Sequence, residues 1–143
     1  MKTKLPTIAR LILGFLFVFF GIAGLFNLLP PPENMPKDLQ TFMGGLVAAK
    51  YFFPLLKITE ITCGALLMIG VFVPLALVVL APIILNILLV HIVLDPSGLP
   101  IAIVLVVLEI YLAFFSKPYS DIVKHIFRCP LKEELDKKKQ QEG

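Results

Sequence analysis

Long apolar runs alternate with short polar breaks along the chain. Four of these runs have the length of membrane-crossing helices, at about 8–29, 51–72, 74–94 and 99–115. The first closes at "LLPPPENMP", where prolines remove backbone donors and the chain turns polar. "FVPL" at 72–75 predicts a tight reversal between the second and third runs. "DPSG" at 95–98 carries the Asp, Pro and Gly of a turn before the fourth. Inside the runs apolar residues occupy every face, which excludes the alternation of a β-barrel. Helices remain, because an open chain in lipid satisfies its backbone only internally. The expected fold is all-α, an integral-membrane four-helix bundle.

Two shorter patterns flank the spans. In "DLQTFMGGLVAAK" the residues Leu39, Phe42, Met43, Leu46 and Val47 recur at helical spacing. They predict a short helix in the first loop, lying in the membrane interface or capping the bundle. After residue 115, Ile122, Val123, Ile126 and Phe127 fall on one side of a helix, with Lys124 and Arg128 elsewhere. That pattern predicts a helix on the inner membrane surface, and the charged run after Pro130 predicts a solvated, partly disordered end. The chain thus divides into a four-span domain, 1–115, and a tail, 116–143.

Composition places the protein in the bilayer and charge orients it. The chain is 58% hydrophobic and 16% charged, against roughly 25% charged in soluble domains. Lys2, Lys4 and Arg10 precede or begin the first span, and seven further Lys and Arg residues follow residue 115. Lys37, Lys50 and Lys57 lie in or beside the first loop. The positive-inside rule puts both termini in the cytoplasm, in agreement with an even number of spans. The first span is longer than a signal-peptide core, and no small-residue cleavage site precedes the PPP run, so it is expected to be retained. No basic stripe is interleaved with aromatics, which argues against nucleic acid as a partner.

The polar residues inside the spans carry whatever chemistry there is. Glu60 stands in the apolar "LKITEITCGALLMIGVF". An ionised side chain at mid-membrane costs about 2.5 to 3.5 kcal/mol, and each Leu, Ile, Phe or Val returns about 0.3 to 0.6. The second span can insert, but Glu60 needs an inward-facing partner or a proton. Lys57, three residues earlier, can snorkel and pair with it. Asn86 is expected at a similar depth on the third span, with His91 and Asp95 one turn apart near its outer end. These residues predict an outer cluster of Lys57, Glu60, Asn86 and His91. An inner pair is predicted between Arg10 and Glu109. Arg10, Gly14, Phe17, Gly21 and Gly24 share one side of the first span, whose glycines admit a close neighbour. Each polar residue has a structural alternative, as interhelical clamp or hydrogen-bonded glue.

Several chemistries find no support. The two histidines, His91 and His125, fall at different depths, so they do not suit a bis-histidine haem. No metal-ligand spacing and no C-x-x-C occur, and no nucleophile pairs with a base in the spans. Cys63 lies inside the second span and Cys129 in the tail, too far apart for a disulfide. No covalent cofactor and no metal are expected.

The stretches "ARLILGFLFVFFGIAGLF" and "LLKITEITCGALLMIGVFVPLALVVLAPIILNILLVHIVLDPSGLPIA" resemble the DoxX family of small bacterial membrane proteins. The similarity runs over about 8–115. Its most specific pieces are K-x-x-E-x-x-x-G, at Lys57, Glu60 and Gly64, and N-x-x-x-x-H, at Asn86 and His91. The family takes its name from subunits of an archaeal thiosulfate:quinone oxidoreductase, and other members resemble partners of redox-defence proteins. The resemblance implies a bacterial plasma-membrane protein acting as accessory subunit of a redox system, with quinone as a candidate ligand and a membrane or cytoplasmic redox protein as partner. A scaffold without chemistry of its own, a proton-coupled small-molecule carrier and a homo-oligomer remain open beside it.

Overall fold

The computed structural model describes residues 4–143; Lys2, counted above with the basic start, lies outside them. Among the described residues the regular structure is helical throughout. The first apolar run forms α1, Lys4–Leu25. It stops four residues short of the predicted end because Asn27 takes a left-handed conformation, φ 52°. The Leu28 N–H then turns back to the Ala23 carbonyl at 2.9 Å, closing the helix as in a Schellman turn. The first loop contains α2, Lys37–Ala48.

The second run forms α3, Phe52–Ile69, and ends at Gly70 in the left-handed region, φ 88°. The carbonyl of Leu66 accepts from both Gly70 and Val71, at 2.9 and 3.1 Å. The reversal therefore occupies 70–72 rather than 72–75. Pro74 sits in the first turn of α4, Val73–Val93, where its missing N–H costs nothing. A short 3₁₀ turn, Pro96–Gly98, leads into α5, Leu99–Ile110. The same span then widens into a π turn at Tyr111–Phe115.

Two helices follow the spans. The amphipathic pattern at 122–127 becomes α6, Tyr119–Ile126, which buries Ser120 and Val123. The charged end is a helix as well, α7, Pro130–Glu142. This corrects the expectation of a partly disordered end. Pro130 at the start of the helix, the Arg128–Glu133 fork at 2.7 and 3.0 Å and a Lys138–Glu134 pair at 3.5 Å support helix on a fully solvated surface.

Among the described residues four segments are long and apolar enough to cross a membrane: α1, α3, α4 and the span Pro96–Phe115. They form a bundle in which α1 packs most closely on α3, α3 on α4, α4 on α5 and α5 back on α1. Leu13 and Phe17 of α1, Leu67 of α3, Leu77 and Leu80 of α4 and Leu112 of the π turn make the shared core. The outer surface is as apolar as the core, with Phe15, Ile58, Leu85 and Ile103 exposed on four different helices. Such a surface suits lipid rather than water.

Gly70 combines two requirements. Its φ favours glycine, and the Arg10 guanidinium occupies the space where a Cβ would project. Gly70→Ala is expected to lower stability by about 1 to 2 kcal/mol from the backbone alone, and by more if Arg10 is displaced. Unfolding in mild detergent, compared with an Arg10→Ala, Gly70→Ala double variant, separates the two contributions.

Candidate functional site

The polarity of the bundle is confined to a few side chains, and tertiary packing sorts them differently from sequence order. On α3, Glu60 faces inward with Cys63, Gly64 and Leu67. Its Oε2 accepts a hydrogen bond from Lys57 Nζ at 3.1 Å, and the side chains of Lys57 and Glu60 are 18% and 5% exposed. The lysine stem crosses to α1 and lies on Gly24, where an added Cβ would stand 2.8 Å from its Cε. Its ammonium is 5.5 Å from the centre of the Phe53 ring. The pair thus ties two turns of α3 to α1, and Gly24 makes room for it.

The rest of the predicted outer cluster does not assemble. Asn86 is exposed on the outer surface of α4. The buried face of that helix runs through Val73, Ala76, Leu77, Leu80 and Ile84. Two residues beyond Ile84 is about 200° of helical rotation, which turns Asn86 outward. His91 is half-buried and bonds locally instead: its Nδ1 lies 3.1 Å from the Asp95 carbonyl, and its ring rests on Gly98. The Asp95 carboxylate takes the Ser97 hydroxyl at 2.6 Å and its backbone N–H at 3.1 Å. Those two bonds hold the Asp95 carboxyl below its usual range, with a smaller contribution from His91. A depressed carboxyl stabilises the turn at neutral pH, and that contribution disappears only in acid, as pH falls through the lowered value. His91 and Asp95 are therefore parts of a turn.

The predicted inner pair is not formed either. Arg10 bends toward the α3–α4 reversal and lays its guanidinium over Gly70, and its buried Nε has no hydrogen-bond partner among the described residues. Glu109 points elsewhere. It is 7% exposed, and its buried Oε2 also has no hydrogen-bond partner among the described residues. The two residues sit on helices in contact, but a long side chain follows the space open to it, and the glycine of the reversal supplies that space for Arg10.

Glu109 instead lines a cleft of about 280 Å³ between α4, the end of α5 with its π turn, and α6. Leu77, Ala81 and Leu85 form one wall, Ala113 and Phe114 the other, and Ile126 belongs to the end closed by α6. Every lining residue except Glu109 is apolar. The π turn begins two residues after Glu109; such widened turns frequently mark functional positions in helices. The spacing of residues did not reveal this cleft. Its signals were present separately, as an acid in the fourth span and an amphipathic pattern at 122–127, but only the docking of α6 beneath α4 and the π turn joins them.

The family model described as DoxX matches residues 5–92. That stretch runs from α1 almost to the end of α4 and contains Arg10, Lys57, Glu60, Asn86 and His91. Searches of the curated proteins and of the solved structures return no match.

Proposed function

The chain belongs to the DoxX family, and we propose from that membership that it serves as an accessory subunit of a membrane redox system. It is a membrane protein with four candidate spans. In this reading the bundle anchors and positions a redox partner, while α6 and the charged α7, which buries no residue, offer that partner a face after the fourth span. A bacterial plasma membrane with cytoplasmic termini belongs to the same proposal, on the strength of the lysine and arginine distribution.

The observation that carries the reading furthest is the Lys57–Glu60 pair. Its two members coincide with the most specific family-like motif of the chain, and they are ion-paired at the edge of the α1–α3 contact. A lysine that is 18% exposed in an apolar setting is a suitable hydrogen-bond donor to the carbonyl of a quinone entering from lipid. Asn86 and His91 take no part in this site. The ion pair also speaks against Glu60 as a freely exchanging acid, which weakens a carrier mechanism built on it.

The test is the quinone content of protein purified gently from native membranes, counted per chain against bulk lipid. Wild type is expected to be enriched, and Glu60→Gln, which leaves Lys57 without its ionic partner, is expected to lose the enrichment at equal thermal stability. No enrichment in wild type would replace the quinone contact with the scaffold reading, in which loss of Glu60 changes complex yield alone.

A further inference from the structure

Asn86 presents an unpaired amide to the lipid. It stands thirteen residues beyond Val73, which starts α4, and seven before Val93, which ends it. That is about 20 Å from one end of the helix and about 10 Å from the other, inside a hydrocarbon core about 30 Å thick. The side chain is exposed and makes no hydrogen bond to another described residue. Thr59 and Thr62 of α3 also face outward, but their hydroxyls return to the carbonyls of Leu55 and Ile58, each at 2.8 Å. Asn86 has no such internal outlet. Hydrocarbon offers it no partner, and its short side chain cannot extend to the headgroups as a lysine does.

The surface around Asn86 has the form of a helix seam. Leu75, Pro82, Leu89 and Val93 are exposed on α4 and recur with Asn86 at steps of three, four or seven. Together they occupy an arc of about 60°, opposite the buried Val73, Leu77 and Ile84. An apolar stripe carrying a single amide is a pattern on which helices pair, the amide fixing register and number of strands.

We infer that this face of α4 joins a second copy of the chain, with the two Asn86 carboxamides hydrogen-bonded across a two-fold axis along the membrane normal. Depth and complementarity select that occupant. Copies inserted in the same sense carry Asn86 at the same depth, whereas a different protein would match it only by coincidence. A carboxamide holds both a donor and an acceptor, so two of them related by a two-fold each donate to the other's carbonyl. Lipid tails supply neither group. The contact lies apart from the Lys57–Glu60 pair, which ties α3 to α1, and does not depend on the quinone contact proposed there.

The experiment measures energy transfer between full-length chains labelled with donor or acceptor at the exposed Cys129, Cys63 being buried. Wild type in mild detergent is expected to show transfer that saturates as the protein-to-detergent ratio rises, with the dependence of a dimer. Asn86→Leu is expected to move the midpoint on the order of 10-fold toward higher protein, the loss of the interhelical hydrogen bonds. In a Cys129→Ser background, copper-phenanthroline oxidation in liposomes is expected to join chains carrying Val93→Cys, within the seam. Chains carrying Ile101→Cys, on the exposed face of α5, are expected to stay single. Transfer that never saturates, an unchanged midpoint in Asn86→Leu, or equal cross-linking at both positions would overturn the proposal. So would a monomeric wild type holding another membrane protein that Asn86→Leu releases, which would give the face to that protein. Should Asn86→Leu not yield folded protein, the cross-linking pair decides alone.

Discussion

Gly64→Val is expected to be the most damaging single substitution in the bundle. The α1–α3 seam closes at Gly14 and Gly64, each against the other's backbone. A Cβ on Gly64 would stand 2.8 Å from the Gly14 carbonyl oxygen and 3.0 Å from the Val18 nitrogen; one on Gly14 would stand 2.7 Å from the Gly64 carbonyl oxygen. A flexible side chain can step aside, but a helix backbone moves only by shifting the whole helix. Separating α1 from α3 would loosen Leu13, Phe17 and Leu67 together, since they share one core. Overpacking costs typically about 1 to 3 kcal/mol, and a backbone–backbone clash places Gly64→Val at about 3 kcal/mol or above. The expected result is loss of monodisperse protein, or a large fall in the unfolding midpoint in mild detergent. Gly44→Ala is the control, because nothing lies within 4 Å of a Cβ there. Equal stability of Gly64→Val and Gly44→Ala would show that the seam is not closed as described.

Lys57→Met is expected to be the second large effect, and larger than Glu60→Gln. The asymmetry follows from reach. Lys57 is long and partly exposed, so without its partner it can extend toward the membrane surface. Glu60 is short and 5% exposed, and without Lys57 it is left uncompensated in the core. Removing one member of a buried ion pair costs on the order of 3 to 5 kcal/mol, whereas replacing both with apolar or neutral groups is often close to neutral. Lys57→Met should therefore lose about 3 kcal/mol, and adding Glu60→Gln to it should restore most of that. A double-mutant cycle on unfolding midpoints measures the coupling. If the double variant were as unstable as Lys57→Met, the packing of the lysine stem on Gly24 would matter more than the charges.

These two expectations concern residues that the sequence singled out for different reasons. The glycines of the first span were legible as a close-packing face because small residues at helical spacing have one common use in lipid. Gly64 was legible as the glycine of K-x-x-E-x-x-x-G, one turn beyond Glu60, and its pairing with Gly14 depends on which helices touch. Lys57 and Glu60 were legible as a pair because three residues along one helix fixes their proximity without reference to any other element. Asn86 and Arg10 show the limit of that reasoning. Their depth follows from counting along a helix, but the direction each side chain takes depends on which face the neighbouring helices cover.

The membrane spans and the membrane class thus followed from the sequence itself, because both rest on local properties: runs of apolar residues, breaks at proline and glycine, and the need to satisfy backbone groups within a segment. The family, too, was legible from short motifs within single helices. Only the tertiary structure decided which acid is paired and which is not. Glu60 and Glu109 look alike in sequence, each a lone carboxylate in an apolar run. One lies beside its own lysine, whose stem rests on Gly24 of α1; the other is buried where α4, the π turn and α6 meet, with no partner for its Oε2 among the described residues. Hydrophobicity cannot make that distinction in a chain whose outer surface is as apolar as its core. Shape and contact make it, and they arise when the helices meet.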